Sequence, residues 1–222
     1  MQRFQIHLIT DRKRARGDLL RVVEEALSGG VDCVQVREKG GPARELYETA
    51  RKLLPVAREG GASLLINDRV DVALACGADG VHLAAKSLPP RAARELLGQE
   101  PLLGCSVHGL AEAHAAVDAG ADYVTFGHVY PTSSKAGMPP RGVRELAEIV
   151  ESVEVPVLAI GGIDESNVHE VLGTGCAGIS VISTIIAAPD PKLAAKRLRR
   201  AIDGSPHRPR YPFPEKLKKG TI

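Results

Sequence analysis

Short apolar runs rich in β-forming residues alternate with helical patterns about every 25 residues along this chain, and this repeat limits the fold more than any other feature. Such alternation is typical of parallel strands joined by crossover helices. Eight units can be counted. The predicted strands cover residues 4–10, 31–37, 63–67, 80–83, 102–105, 123–126, 155–160 and 178–182.

The repeat favours a closed barrel over an open, doubly wound sheet. At 222 residues the chain has the size of one eight-stranded barrel. No G-x-G-x-x-G element follows the first predicted strand, as it would in a dinucleotide-binding open sheet. The tripeptides Gly30-Val31-Asp32, Gly77-Ala78-Asp79 and Gly120-Ala121-Asp122 precede strands, where glycine can end a helix in left-handed geometry. We therefore predict fold class α/β, a (β/α)8 TIM barrel.

Composition excludes several classes of partner and site. Lys plus Arg number 29 against 27 Asp plus Glu, so no strong field favours nucleic acid or a membrane as partner. The four cysteines form no C-x-x-C pair, which argues against a zinc site and a disulfide framework. The chain runs directly into its first predicted strand without room for a signal peptide, and no apolar run approaches a membrane span. We expect a cytoplasmic protein acting on a small molecule, and a homo-oligomer remains open.

Composition changes once along the chain. Residues 1–204 carry the repeat and are predicted to form a single barrel domain. Residues 205–222 are rich in Pro, Lys and Arg and show almost no apolar periodicity, so we predict a basic, mobile C-terminal tail.

Polar residues collect where the predicted strands end, which is where the active site of such a barrel lies. On the second strand, period-2 alternation directs Gln35 and Arg37 into the barrel and Val34 and Val36 toward the helices. An interior arginine needs an anion, either a ligand or a structural partner such as Glu38. The residues collected in this way are His7, Gln35, Arg37, Lys39, Asn67, Asp68, Ser106, His128 and Thr132.

Glycine-bearing loops follow the seventh and eighth strands. These loops commonly bind phosphate in barrels, because glycine leaves backbone N–H groups exposed and a short helix begins nearby. The alternative is that paired glycines only make a tight turn. We predict phosphate binding at Gly161, Gly162, Ile182 and Ser183.

Two of the seven histidines are placed to transfer protons. His7 and His128 each close a predicted strand at the barrel mouth, where an imidazole can act as acid or base. His82 and His108 could equally be satisfied core residues. The remaining three fall on helices or in the tail.

The elements at these positions resemble the thiamin phosphate synthase and thiazole tautomerase family over 7–183. They are Leu8-Ile9-Thr10-Asp11, 34–39 (VQVREK), 66–74 (INDRVDVAL), Gly80-Val81-His82-Leu83, 127–135 (GHVYPTSSK) and 159–163 (AIGGI). The resemblance implies that Gln35, Arg37, Lys39 and Asn67 bind a substrate diphosphate and that Asp68 helps to hold Mg²⁺ in a synthase. It also implies that the thiazole phosphate is bound by Thr132, Ser134, Lys135, Ile182 and Ser183.

Three departures from the synthase pattern point to the tautomerase branch. Ser87 stands where the pattern has its second metal carboxylate. His128 replaces a proline, and proline cannot move a proton. His7 replaces an aromatic residue, and 106–109 read SVHG in place of Ser-Thr-His-Thr.

We therefore predict a thiazole tautomerase, an isomerase that aromatises a carboxythiazole phosphate. His128 would transfer the proton, His7 and Ser106 would contact the substrate, and no metal or organic cofactor would be required. Two alternatives stay open. One is a thiamin phosphate synthase that couples a pyrimidine diphosphate to a thiazole phosphate with Mg²⁺. The other is a non-catalytic barrel that binds a thiamin precursor and regulates a partner.

Overall fold

Eight parallel strands close into a barrel in strict sequence order. The structure is a computed structural model and describes residues 3–38 and 40–213. The strands are β1 (Gln5–Ile9), β2 (Cys33–Val36), β3 (Ser63–Asn67), β4 (Gly80–Leu83), β5 (Leu102–Val107), β6 (Tyr123–Gly127), β7 (Val157–Ile160) and β8 (Gly178–Val181). The prediction of a (β/α)8 barrel is confirmed, and each predicted strand overlaps an observed one with ends that differ by no more than two residues.

A helix follows every strand, as right-handed crossovers between parallel strands require. The helices are α1 (Leu19–Ser28), α2 (Ala43–Glu59), α3 (Val70–Cys76), α4 (Pro90–Leu97), α5 (Leu110–Asp118), α6 (Gly142–Ser152), α7 (Val168–Gly173), α8 (Ser183–Ile186) and α9 (Pro191–Asp203). Within the part of the chain that the structure describes, none of them combines the length and apolar character needed to cross a bilayer.

Strand side chains divide between two apolar layers, as period-2 alternation predicts. Val34 and Val36 lie in the large cluster between the strands and the surrounding helices. Cys33 belongs instead to a smaller cluster inside the barrel. Gln35 lies between the two valines along β2 and therefore projects inward, toward the cavity that it lines.

The repeated Gly-x-Asp tripeptides fasten neighbouring strands to one another. Their glycines have left-handed φ angles of 104° at Gly30, 70° at Gly77 and 93° at Gly120. The aspartate carboxylates accept hydrogen bonds from the preceding strands, Asp32 from Ile6 N at 2.8 Å, Asp79 from Leu64 N at 2.7 Å and Asp122 from Leu103 N at 2.8 Å. The motif therefore ends a helix and positions the next strand at the same time.

Aromatic rings close the lower end of the barrel interior. Phe213 packs against the inner cluster, with its ring centroid 5.0 Å from the rings of both His7 and Tyr123. Tyr123 is completely buried, and its ring occupies the space beside Gly104, where an added Cβ would lie 2.1 Å from the ring. A side chain at Gly104 would therefore displace Tyr123.

The segment that composition marks as a tail begins with residues packed on the barrel. Arg210 N donates to Gly175 O at 2.9 Å, and Phe213 reaches the barrel interior. The rest of the predicted tail, 214–222, lies outside the described residues.

Candidate active site

A cavity of about 900 Å³ opens at the carboxyl ends of the strands. It brings together nearly all of the residues that the sequence nominates. Those that line it are Gln35, Arg37, Asn67, Asp68, Ser106, His128, Thr132, Ser134, Lys135, Gly161, Gly162, Ile182 and Ser183.

Two nominated residues are not found there. Lys39 lies outside the described residues. His7 was expected at the mouth, and this placement is wrong: the side chain is fully buried, and Ile9, two residues further along β1, is the one that lines the cavity. His7 therefore occupies the interior layer below the site, where burial lowers its pKa to about 3. Neither ring nitrogen has a hydrogen-bond partner among the described residues.

A chain of hydrogen bonds joins β2, β3 and the β4–α4 loop at one side of the cavity. Gln35 Nε2 donates to Asn67 Oδ1 at 2.6 Å, and Asn67 Nδ2 donates to Asp68 Oδ2 at 2.5 Å. The other carboxylate oxygen of Asp68 accepts from Ala84 N at 3.0 Å and from the Ser87 hydroxyl. Asp68 has a φ of 64°, a conformation that residues other than glycine adopt rarely and that often marks a functional site.

The Asp68 carboxylate suits a metal ion that takes most of its ligands from a bound phosphorylated substrate. Its two oxygens offer about four lone-pair positions, and three of these accept the hydrogen bonds just described. Among residues 3–38 and 40–213 no cluster of three or more His, Cys, Asp or Glu side chains forms a metal cage. Mg²⁺ commonly needs only one or two carboxylates because phosphates and water complete its coordination. Asp68 beside Ser87 fits that mode.

Arg37 lies in the cavity without a carboxylate within ion-pair distance among the described residues. Its backbone N–H donates to Thr10 Oγ1 at 2.9 Å, which fixes the strand end. Glu38, the structural partner considered from the sequence, is directed instead toward Arg12, with 3.8 Å between Oε1 and Nε. The guanidinium of Arg37 is thus available to a ligand anion.

The two glycine-bearing loops meet at the opposite side of the cavity. Gly161 and Gly162 have φ angles of 104° and 67°, and a Cβ on Gly162 would lie 2.5 Å from Pro131 O. Among the described residues no acceptor is bonded to the backbone N–H of Gly162 or of Ser183, which begins α8. Free N–H groups of this kind are ligands for phosphate oxygens.

His128 is engaged with the loop between β6 and α6. Its Nε2 lies 3.2 Å from Met138 O, and because a carbonyl only accepts, Nε2 carries the proton. At the base of this loop Arg141 N donates to His128 O at 2.9 Å. Arg14 of the β1–α1 loop donates to Ser133 Oγ at 3.0 Å and so reaches the same loop from the other side.

A buried relay reaches the cavity from below. His82 contacts Tyr123 Oη at 3.0 Å through Nδ1 and Ser106 Oγ at 2.9 Å through Nε2. Burial lowers the pKa of His82 to about 4, although the charge of Asp68 opposes the shift, so the ring is neutral near pH 7. Burial also raises the pKa of Tyr123 well above its usual value, so the phenol keeps its proton.

Several lining residues were not nominated as site residues from the sequence. The cations Arg14 and Lys86 come from loops beyond the strand ends. In a loop the sequence has no periodicity that would indicate whether a polar side chain faces the cavity or the solvent. The sequence is compatible with a core position for His82, and in the structure this residue lines the cavity although it is almost completely buried. With Arg37 and Lys135, the two loop cations make a site suited to more than one anionic group.

Comparison with known proteins places this geometry in a family. The family model described as thiamine monophosphate synthase matches residues 6–185. The chain belongs to the thiamine monophosphate synthase family. A thiamine-phosphate synthase from Roseiflexus sp. (strain RS-1) is 45% identical over 201 residues, 89% of this chain and 84% of the relative. Another from Methanobrevibacter smithii is 40% identical over 193 residues, 87% and 92% of the two chains.

A solved structure agrees with the sequence relatives. The thiamine phosphate pyrophosphorylase from Pyrococcus furiosus superposes with a TM-score of 0.84 at 41% identity, covering 91% of this chain and 96% of that one. The chain is thus an enzyme of thiamine biosynthesis rather than a non-catalytic barrel.

The prediction of a thiazole tautomerase is wrong, because the relatives with high identity over most of the chain are synthases. The geometry explains why the departures misled. His7 does not face the cavity, and the protonated nitrogen of His128 is directed at Met138 O. These relatives do not support an isomerase either.

Proposed function

We propose that this protein is a thiamine-phosphate synthase, which couples a pyrimidine diphosphate to a thiazole phosphate and releases diphosphate. The observation that carries the proposal is the unpaired Arg37 beside the Gln35–Asn67–Asp68 chain, in a family whose named relatives are synthases. In the reaction the bond between the pyrimidine-bearing carbon and diphosphate breaks and a bond to the thiazole forms, so negative charge develops on the departing diphosphate.

The diphosphate side of the site carries cationic groups that can stabilise this negative charge. Arg37 offers planar guanidinium donors that match phosphate oxygens, and its backbone is held by the bond from its N–H to Thr10 Oγ1. Cationic donors at this position favour the charge that develops on the departing diphosphate. Lys39 is expected to add a second cation by resemblance.

Asp68 is the residue that would hold Mg²⁺. The metal, when bound, would neutralise phosphate charge and favour departure of the leaving group. Asn67 and Ser87 orient the carboxylate through their hydrogen bonds. Together with Ala84 N they leave about one of the four lone-pair positions of Asp68 without a partner among the described residues.

The thiazole phosphate is assigned to the opposite side. Backbone N–H groups of Gly162 and Ser183 and the side chains of Thr132, Ser134 and Lys135 surround that part of the cavity. Two separate anion sites across one cavity allow both substrates to bind together, and positioning of two reactants supplies a large part of such catalysis.

The direct test is coupling by the purified protein. The two substrates are mixed with it at several Mg²⁺ concentrations, and thiamine phosphate and diphosphate are quantified by chromatography. We expect equal amounts of both products and a dependence on Mg²⁺. Arg37→Met should lower the rate strongly, whereas Arg21→Met on the exposed face of α1 should not. If neither product forms while both substrates bind, the proposal is wrong.

A further inference from the structure

The Ser106 hydroxyl at the cavity wall has two possible hydrogen-bonding directions. In one, His82 Nε2 donates to Ser106 Oγ, and the serine proton is free for a ligand. In the other, Ser106 donates to Nε2, and only its lone pairs face the ligand. The distance of 2.9 Å permits both, so the direction depends on which nitrogen of the neutral His82 ring carries the proton.

Tyr123 decides between these two directions. Its hydroxyl lies inside the barrel, and among the described residues its sole hydrogen-bond partner is His82 Nδ1 at 3.0 Å. The phenol is completely buried and protonated. If Nδ1 carried a proton and donated to the phenol oxygen, the Tyr123 proton would have no acceptor within the described residues. An unsatisfied buried donor is unfavourable, so Tyr123 donates to Nδ1.

The position of the remaining ring proton follows from the chemistry of a neutral imidazole. With Nδ1 as acceptor, the single ring proton resides on Nε2 and is donated to Ser106 Oγ. Ser106 then uses its own O–H toward the cavity. We propose that Tyr123 and His82 are positioning residues that make Ser106 a hydrogen-bond donor, and that Ser106 recognises an acceptor atom of the bound substrate.

The acceptor can be a ring nitrogen of the pyrimidine or an oxygen of the diphosphate, and this part rests on the proposed function. The position favours these groups, since His82 is one residue from β4's end and feels the charge of Asp68, which lies on the diphosphate side. A ligand amino group could be bound in either direction, because one lone pair of Oγ stays free, whereas a ligand acceptor requires the direction proposed. Tyr123, which is not among the residues that line the cavity, thus determines through His82 that Ser106 can donate to the substrate.

Gly104 is also required for the Tyr123–His82–Ser106 relay. A Cβ at this position would lie 2.4 Å from the Tyr123 hydroxyl oxygen, so an unsubstituted α-carbon on β5 is needed for the phenol to reach His82. Gly104 and Ser106 are two residues apart on one strand and point to the same side. The strand that carries the hydroxyl therefore also makes room for the group that orients it.

The first experiment reads the His82 tautomer directly and needs no activity. Protein labelled with ¹⁵N at its histidines is examined by NMR near pH 7, and the His82 signals are assigned by their loss in His82→Asn. We expect a protonated Nε2 and an unprotonated Nδ1. A protonated Nδ1 in the unmodified protein overturns the proposal, whether or not the protein proves to be a synthase.

The second experiment is a double-mutant cycle on coupling kinetics. Tyr123→Phe keeps the ring and removes the donor, and we expect kcat/KM to fall about 3- to 10-fold, the effect of one hydrogen bond. In a Ser106→Ala background the same change should have almost no effect, because Tyr123 acts through Ser106. In Tyr123→Phe the NMR spectrum should also show protonation at Nδ1 of His82. Two results would overturn the positioning role. One is a double variant whose loss of kcat/KM is the product of the two single losses, and the other is a Tyr123→Phe enzyme with unchanged kcat/KM.

Discussion

Ser87→Asp would place a second carboxylate against Asp68. The Ser87 hydroxyl is in hydrogen-bond contact with Asp68 Oδ1, so the new charge would lie within about 4 Å of the existing one. At an effective dielectric constant of about 20, two like charges at that distance repel by about 4 kcal/mol. Because both residues are half-buried, solvent and salt should reduce the cost to about 1–2 kcal/mol.

This repulsion should disappear when Mg²⁺ binds between the two carboxylates. For a chain of this length, 1–2 kcal/mol corresponds to a fall in Tm of about 2–8 °C without metal. At a free Mg²⁺ concentration ten times the Kd, binding should return about 1.4 kcal/mol. The Mg²⁺ concentration that gives half-maximal coupling should fall in the same variant.

Differential scanning fluorimetry at several Mg²⁺ concentrations and constant ionic strength measures the effect. Ser87→Asn is the matched control, because it has similar size and no charge, and its Tm should not respond to Mg²⁺ more than that of the unmodified protein. Equal Mg²⁺ responses in the Asp and Asn variants would show that Asp68 and residue 87 do not share a metal.

Four further outcomes are expected. Arg37→Met should weaken binding of inorganic diphosphate about 10- to 100-fold by calorimetry, with little change in Tm because no described carboxylate loses a partner. Gly162→Ala should weaken binding of inorganic phosphate, whereas Gly137→Ala, which has a similar φ and no atom within 4 Å, should not. His128→Ala should speed proteolysis of the β6–α6 loop and lower coupling less than 10-fold, and a loss beyond 100-fold would assign chemistry to the imidazole. The pKa of His7 is lowered to about 3, so below pH 6.5 the unfolded chain takes up a proton that the folded barrel does not. The free energy of unfolding therefore decreases as the pH is lowered, by up to about 1.4 kcal/mol per pH unit. In a plot of Tm against pH, His7→Phe should reduce this slope, and equal slopes in the two proteins would contradict the burial of His7.

The barrel and most of its site could be predicted because both follow from local order. Alternation along β2 directs Gln35 and Arg37 inward, and parallel strands gather their carboxyl ends at one mouth. The layer of a residue along its strand is harder to predict. His7 and Ile9 share a face, and only the register of β1 against its neighbours shows that Ile9 is the one at the cavity.

Contacts between distant elements were beyond sequence reasoning. Tyr123 meets His82 from a strand 41 residues away, and nothing local to either residue indicates the partner. A few substituted side chains favour a tautomerase, whereas the similarity of the whole barrel favours a synthase. In the structure the side chain of His7 is fully buried, and Nε2 of His128 lies 3.2 Å from Met138 O.

Phe213 gives the barrel a particular order of completion during synthesis. The ring packs inside the cylinder against β1 and β6, although it follows every strand and helix described in the chain. On the ribosome the amino-terminal strands emerge first, and the inner core lacks one of its rings until translation has passed this residue. A chain that ends at residue 204 would therefore contain all eight strands but lack the ring that packs against His7 and Tyr123.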